Sequence, residues 1–307
     1  MISVVIPLYN KFSTIAKALD SILSQTYQDF EVVVVDDGSI DDGAAIVEQY
    51  TDPRIRLVCQ ENAGVSAARN RGIAEAKGEY VAFLDADDEW MPEFLEEIVL
   101  LQKEFPACRA HATKYVQYQN GELKDIILNK LPFNGVRGVL VNYFEVASCS
   151  HPPVCSICVC IERALLLEIG GFPLGIKSGE DLLTWASIAV RTQWAYSLKP
   201  LAQYNIETSF DKFGRPHDQI DYVGNGLLAL MCQIDNKHKW QLRKYISHWY
   251  KMRTSVTMKS GDVCQTMKYG CKALRYNLFN YKVYLMMVLV LMPLSIQNSI
   301  KKKYANG

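Results

Sequence analysis

The chain has 307 residues, 49% hydrophobic and 21% charged, which excludes a disordered protein and leaves apolar mass for about two domains. Lys+Arg and Asp+Glu are equal at 33 each, but residues 237–307 hold 14 Lys/Arg against one acid, Asp262 (+13), while the first 236 residues hold 19 against 32 (−13). An acidic body with a basic tail suggests that the tail meets a membrane surface or another polyanion, and no nucleic-acid reading motif is present.

The chain opens on a buried-strand pattern at 2–6 with no basic leader, so no signal peptide is expected. Nine cysteines, an odd number without a regular framework, read as free thiols in a reducing compartment. Apolar runs at 2–6, 31–35, 55–59 and 80–84 are rich in Val and Ile. They are continuous rather than alternating, as in strands buried on both faces. Between them Ile15, Leu19, Ile22 and Leu23 recur at helical spacing, Ile46 and Val47 do so weakly, and 65–76 is rich in helix formers. Pro92 suits the first turn of a helix carrying Leu95, Ile98 and Val99. This alternation predicts a parallel α/β sheet. Residues 106–150 are less regular. Beyond them the pattern predicts a strand at 154–161, a short helix at 164–169, a turn at Gly170-Gly171-Phe172-Pro173 and a helix from near Gly179 to about Val190. From Trp240 onward the pattern is mostly helical, basic and aromatic.

Ligands of open parallel sheets bind beyond the carboxyl ends of the strands. Those ends carry Pro7-Leu8-Tyr9-Asn10, Asp36-Asp37-Gly38-Ser39, Gln60-Glu61-Asn62 and Asp85-Ala86-Asp87-Asp88. So many acids at one edge repel one another unless a cation or hydrogen-bond donors offset them. In an extended step, residues two apart point the same way, so Asp85 and Asp87 are expected to face one ligand. Hard carboxylate oxygens suit Mg²⁺ or Mn²⁺ shared with phosphate. Alone, the triplet also fits a solvated turn.

The order of the motifs is more specific. Pro7-x-Tyr9-Asn10, Val35-Asp36-Asp37-Gly38-Ser39-x-Asp41, Asn62-x-Gly64-x-Ser66-x-x-Arg69-Asn70-x-Gly72 and Phe83-Leu84-Asp85-Ala86-Asp87-Asp88 resemble family 2 glycosyltransferases. The resemblance is near-continuous over 1–100 and resumes at Gly170-Gly171-Phe172 and Gly179-Glu180-Asp181. It implies a GT-A fold: a mainly parallel sheet flanked by helices over 1–210, with a nucleotide-binding half at 1–100 and an acceptor-binding half at 101–210. A mostly helical, basic region at 211–307 would follow. It implies that Asp37 accepts a hydrogen bond from uracil, and that Pro7, Tyr9 and Asn10 line the base pocket. Arg69 would lie near the base or phosphates, Asp85 would contact ribose, Ala86 would join the donor-binding positions, and Asp87 would hold Mn²⁺ or Mg²⁺ against the diphosphate. Asp181 matches the family's usual base, with Glu180 positioning it or the acceptor, although acids are also ordinary at a helix start. The implied reaction moves one sugar from a UDP-sugar to a hydroxyl of a saccharide or lipid-linked glycan, with inversion, in bacterial surface-polysaccharide assembly. The implied setting is cytoplasmic, peripheral on the inner face of the plasma membrane.

Other features carry two readings. Trp90 and Trp185 read as core packing, with Trp185 alternatively reaching the acceptor side. Arg215 and His217 lie in a polar stretch that fits either a lid over the diphosphate or a plain surface loop. Cys149, His151, Cys155, Cys158 and Cys160 are dense enough for zinc, but the cluster lacks paired Cys-x-x-Cys units, and free cysteines on a strand are expected. The apolar run 283–296, with Pro293 inside and Lys301 to Lys303 beyond, is short for a spanning helix. It fits an interfacial helix, or a core or dimer surface. A dinucleotide-binding oxidoreductase needs a glycine-rich turn where this chain has Pro7-Leu8-Tyr9-Asn10. A sugar nucleotidyltransferase needs a glycine-rich basic loop there. A catalytically silent nucleotide-sugar or glycan binder, or a membrane scaffold, is the remaining alternative.

Overall fold

Continuous Val/Ile runs offer water no polar face, so each must be covered on both sides. The structure, a computed structural model, describes residues 1–206, 221–234 and 236–292. The chain divides into two compact units, Met1–Phe210 and Asp211–Gly307.

In the first unit, strands and helices alternate: β1 (Ile2–Leu8), α1 (Ile15–Leu23), β2 (Phe30–Asp36), α2 (Gly43–Glu48), β3 (Ile55–Cys59), α3 (Val65–Glu75) and β4 (Tyr80–Phe83). Then come β5 (Glu89–Trp90), α4 (Phe94–Glu104), β6 (Ala110–Gln119), β7 (Glu122–Asp125), β8 (Arg137–Leu140) and α5 (Tyr143–Cys149). A 3₁₀ turn at Ser156–Cys158 leads into β9 (Val159–Glu162), α6 (Arg163–Glu168), α7 (Glu180–Ala189) and β10 (Trp194–Asn205).

The ten strands among the described residues share one sheet, ordered β3-β2-β1-β4-β9-β6-β10-β5, with β7 beside β6 and β8 beside β10. β1, β2, β3 and β4 pair in parallel, as do β6 and β10, whereas β9 runs antiparallel to both β4 and β6. The carboxyl ends of six parallel strands therefore share one edge, and the turn entering β9 lies there too. This is the mainly parallel, helix-flanked sheet expected from the alternation.

Two readings of the middle region change. Residues 106–150 contain the ten-residue strand β6. Its letters are small or polar, yet Ala110, His111, Ala112 and Thr113 are all fully buried, because small side chains let neighbouring layers approach. The strand expected at 154–161 begins only at Val159. Ahead of it the backbone tightens into the 3₁₀ turn and Ser156 Oγ donates to Asp85.

Helix α3 lies against β1. A Cβ on Gly72 would overlap the Val5 side chain, so glycine there allows close helix–sheet approach. Trp90 stacks on Phe94 at 4.1 Å, and its Nε1 donates to the Ile157 carbonyl. Trp185 is fully buried, edge-on to Phe172 and Trp194. Both tryptophans are packing residues. Glu97 is 1% exposed and accepts from Arg137 (2.6 and 2.9 Å), Lys199 (2.8 Å) and Ser197 (2.7 Å), tying α4 to β8 and β10. Burial alone would raise the Glu97 pKa, but these donors outweigh it and hold the carboxyl down at about 2.

The second unit contains α8 (Tyr222–Leu230), α9 (Asn236–Lys259), α10 (Val263–Tyr276) and α11 (Tyr281–Leu289). Asp221 and Asp262 cap α8 and α10 by accepting Gly224 N and Gln265 N. Tyr250 stacks against Tyr269 and Tyr276 to join α9 and α10. Helix α11 exposes Tyr281, Tyr284, Leu285 and Val288, after Leu278 and Phe279, the latter 92% exposed. Among the described residues no helix is long and apolar enough to cross a membrane.

Candidate active site

The loops after β1 and β2 are laced together. Asn10 adopts φ +52, and its N–H donates to Ser39 Oγ at 3.1 Å while its Oδ1 accepts Ile40 N at 2.9 Å. Asp41 accepts Phe12 N at 2.8 Å and Gly43 N at 3.0 Å. Pro7 is half-buried, whereas Tyr9 is 48% exposed at the rim. Asp37 is buried and accepts from Gln60 Nε2 (2.7 Å), Ala63 N (2.9 Å) and Gly64 N (2.8 Å). In this state the carboxylate sets the 60–64 loop at the mouth of α3.

The Asp85-Ala86-Asp87 triplet is not extended. Ala86 and Asp87 form a turn, closed by Asp88 N donating to the Asp85 carbonyl at 3.0 Å, with Ala86 buried beneath it. The turn interrupts the two-residue alternation of a strand, and the two carboxylates meet different partners. Asp85 accepts from Arg69 Nη2 (2.7 Å) and Ser156 Oγ (3.0 Å), and Asp87 Oδ2 accepts from Lys11 Nζ (2.7 Å). Asn205 Nδ2 donates to the Asp87 carbonyl, and Asn205 N donates to Asp88 Oδ1, both at 2.6 Å. Burial, then the charges of Asp85 and Asp87, push the Asp88 carboxyl well above its ordinary range. A cavity of about 360 Å³ opens beside Asp87 and Asp88, walled by Thr14, Lys17, Glu89, Tyr118 and Asn205.

Arg69 is the hub. It is 3% exposed, and its guanidinium lies 5.2 Å from the centre of the Phe172 ring. Besides Asp85 it has Glu180 Oε1 at 3.8 Å. Burial opposes its charge, but Asp85, then Glu180 and Asp181, carry its pKa above the ordinary arginine value. Phe172 is itself clamped by Asn70, whose Nδ2 donates to the Phe172 carbonyl (2.8 Å) and whose Oδ1 accepts Phe172 N (2.7 Å). Gly171 sits at φ +72, and a Cβ there would strike Asn70 Oδ1. The Gly170-Gly171-Phe172 turn thus supports the arginine.

Gly179, at φ +89, turns the chain into α7 and delivers Glu180 and Asp181 beside Arg69. Burial raises the Asp181 pKa, against the pull of Arg69 and a hydrogen bond from Leu182 N at 2.8 Å. Glu180 is raised by burial and then by Asp181. A carboxylate with raised basicity beside a fixed cation is suited to taking a proton.

The fold thus brings Arg69, Asp85, Glu180 and Asp181 together, with Asp87 two residues along the turn and Pro7, Tyr9, Asn10 and Asp37 on the adjoining strand ends. Sequence reasoning passed over Lys11, Asn70, Ser156, Phe172 and Asn205 as site residues. Asn70 and Phe172 stood inside quoted motifs, whereas the pairing of Ser156 with Asp85 has no local signal. Among the described residues no three His, Cys, Asp or Glu side chains are arranged to hold a metal. The nine cysteines are free thiols, with Cys155 and Cys158 Sγ 3.6 Å apart. Asp87 offers one carboxylate, which fits Mg²⁺ or Mn²⁺ drawing its other ligands from phosphate and water. Arg215, His217 and Lys301 to Lys303 lie outside the described residues.

Comparison with known proteins agrees with this geometry. The glycosyl transferase family 2 model matches residues 3–145. An uncharacterized glycosyltransferase of Rickettsia conorii is 32% identical over 217 residues, 70% of this chain and 34% of that protein. The chain spans about a third of the length of this and two other Rickettsia relatives. A putative teichuronic acid biosynthesis glycosyltransferase, TuaG of Bacillus subtilis, is 32% identical over 214 residues, 67% of this chain and 79% of that one. The crystal structure of S. aureus TarS 1-349 in complex with UDP-GlcNAc superposes with a TM-score of 0.72 at 19% identity, covering 98% of this chain and 92% of that one. By this sequence match and this likeness of fold, the chain belongs to glycosyltransferase family 2 and has the GT-A fold.

Proposed function

We propose that the protein transfers a single sugar from a UDP-sugar to a hydroxyl of a saccharide acceptor, free or lipid-linked, with inversion at the anomeric carbon, in cell-surface polysaccharide synthesis. The observation that carries the reading is the assembly of Asp85, Arg69 and the Glu180–Asp181 pair at the end of the parallel strands. The putative role of TuaG in teichuronic acid biosynthesis and the UDP-GlcNAc held by TarS support the pathway and the donor class.

Pro7, Tyr9, Asn10 and Asp37 receive the base, Asp85 and Ala86 the ribose side, and Arg69 the phosphate side. Asp87 holds Mn²⁺ or Mg²⁺, which when bound offsets the charge gathering on the departing diphosphate. Asp181 removes the acceptor hydroxyl proton as the oxygen attacks, and Glu180 keeps the acceptor and base in register. Inversion rests on the likeness to the family and on Asp181 as the candidate base, with no nucleophile assigned beside it among the described residues.

Thermal unfolding with UDP, with and without Mn²⁺, tests the donor site. At a hundred times its dissociation constant a ligand stabilises the native state by about 2.7 kcal/mol. A manganese-dependent rise in Tm with UDP, lost in Asp87→Asn, is expected. No rise with UDP, GDP or TDP would refute the donor site and favour the scaffold alternative.

For the second unit we propose contact with an anionic lipid surface at the inner face of the plasma membrane. Exposed Phe279, Tyr281, Tyr284, Leu285 and Val288, in a stretch where 237–307 carries +13, support it.

A further inference from the structure

Lys11 is pinned from both sides, because Asn10 is bonded to Ser39 and Ile40 and Phe12 N to Asp41. Its Nζ meets Asp87 Oδ2 at 2.7 Å across 76 positions of sequence, with the two side chains 26% and 21% exposed. The neighbouring acid is held differently: Asp85 is bound by Arg69, whose side chain is 4% exposed, and by Ser156. The turn therefore carries one carboxylate locked to a buried guanidinium and one paired with an ammonium that water reaches. Partly exposed lysine pairs are weak enough to exchange, and a lysine's flexible four-carbon stem lets its charge move while its backbone stays fixed.

We infer that Lys11 is a resident counter-cation for Asp87. It holds the carboxylate until a divalent ion arrives with a nucleoside diphosphate, and is then handed to the diphosphate itself. The inference rests on the metal role proposed for Asp87. One ammonium brings a single positive charge to Asp87, whereas a divalent ion would bring two and would accept further oxygen ligands from the phosphates. If Lys11 stayed on Asp87, it would repel that ion; moved to the phosphate, it adds positive charge where the leaving group needs it. The first-strand loop then acts as a positioning element that keeps the acidic edge stable before the donor binds and makes metal binding depend on nucleotide.

Calorimetric titration separates this role from a structural one. Mn²⁺ is titrated into protein saturated with UDP, and UDP into protein in EDTA, for wild type, Lys11→Ala, Lys11→Arg and Asp87→Asn. Lys11→Ala is expected to tighten Mn²⁺ binding about fivefold and to weaken metal-free UDP binding by about the same factor, the scale of one partly exposed ion pair. Lys11→Arg is expected to restore metal-free UDP binding. General damage to the fold would weaken both titrations, so opposite signs identify the exchange. Unchanged or weaker Mn²⁺ affinity in Lys11→Ala, with wild-type binding still lost in Asp87→Asn, overturns the inference alone. Mn²⁺ binding that survives Asp87→Asn overturns the metal role as well.

Discussion

Asp181 is both useful and costly. Burial raises its pKa above the ordinary value of 3.8, so its contribution to stability is full below that value and is lost as pH rises through the folded pKa. Once ionised, the carboxylate is a base held where burial disfavours its charge. Asp181→Asn is therefore expected to lower kcat by about 10²–10⁴-fold while raising Tm, read by a donor-turnover assay and calorimetry on one preparation. The wild-type rate should rise with pH through the raised pKa of the acid pair. A pH-independent rate would remove Asp181 as the base. Arg69→Lys should cost activity too, because an ammonium cannot reproduce a guanidinium that bonds Asp85 while lying against the Phe172 ring.

At the scale of elements, α4 and α3 make separable predictions. Glu97 has its pKa held down to about 2 by Arg137, Lys199 and Ser197. The stability it supplies is present above its unfolded pKa near 4.5 and is lost as pH falls toward 2. Glu97→Gln should destabilise by about 2–3 kcal/mol at pH 7 and flatten the acid limb of a Tm-versus-pH curve. Gly72→Ala should cost about 1–3 kcal/mol in denaturant unfolding through its clash with Val5. What was legible follows the same division. Strands β1 and β2 declare themselves by Val-rich apolar runs, and the acids at their ends by position, whereas β3, interrupted by Arg56 at the edge of the sheet, is only half-buried rather than covered on both faces as its pattern suggested. Strand β6 does not declare itself, because Ala110, His111, Ala112 and Thr113 owe their burial to neighbours distant in sequence. The turn at Asp85–Asp88 was not legible, because a turn-closing hydrogen bond from Asp88 replaces the extended step that the apolar run suggested. Gly179's left-handed turn beside Asp181 lies within a quoted motif, but Asn70 gripping Phe172 under Arg69 spans 102 positions, a contact that no window of sequence contains.

At the scale of the molecule, charge and apolar exposure are divided along the chain. Vesicles containing anionic lipid should bind the full chain and release it as salt rises, since screening weakens each basic contact. Replacing Phe279 and Leu285 with Ser should weaken binding in a vesicle sedimentation assay at fixed salt. Equal binding to neutral and anionic vesicles would remove the electrostatic part of the proposal, and binding unaffected by both substitutions would remove the apolar part.

Strand β9, wedged antiparallel between β4 and β6, limits how such a protein can be recombined with its relatives. A crossover near residue 100, where the nucleotide motifs end, looks natural on the linear map. It would nevertheless leave the β4 edge waiting for a strand that arrives some sixty residues later, from the other parent. The pairing of Val81 with Ile161 would then join backbones of mixed origin, while Ala110 and that same Ile161 would come from one parent. Chimeras cut there should aggregate through the open strand edge unless the exchanged segment carries its own matched β4. Exchanges confined to the stretch between β7 and α5 leave every one of those pairings intact.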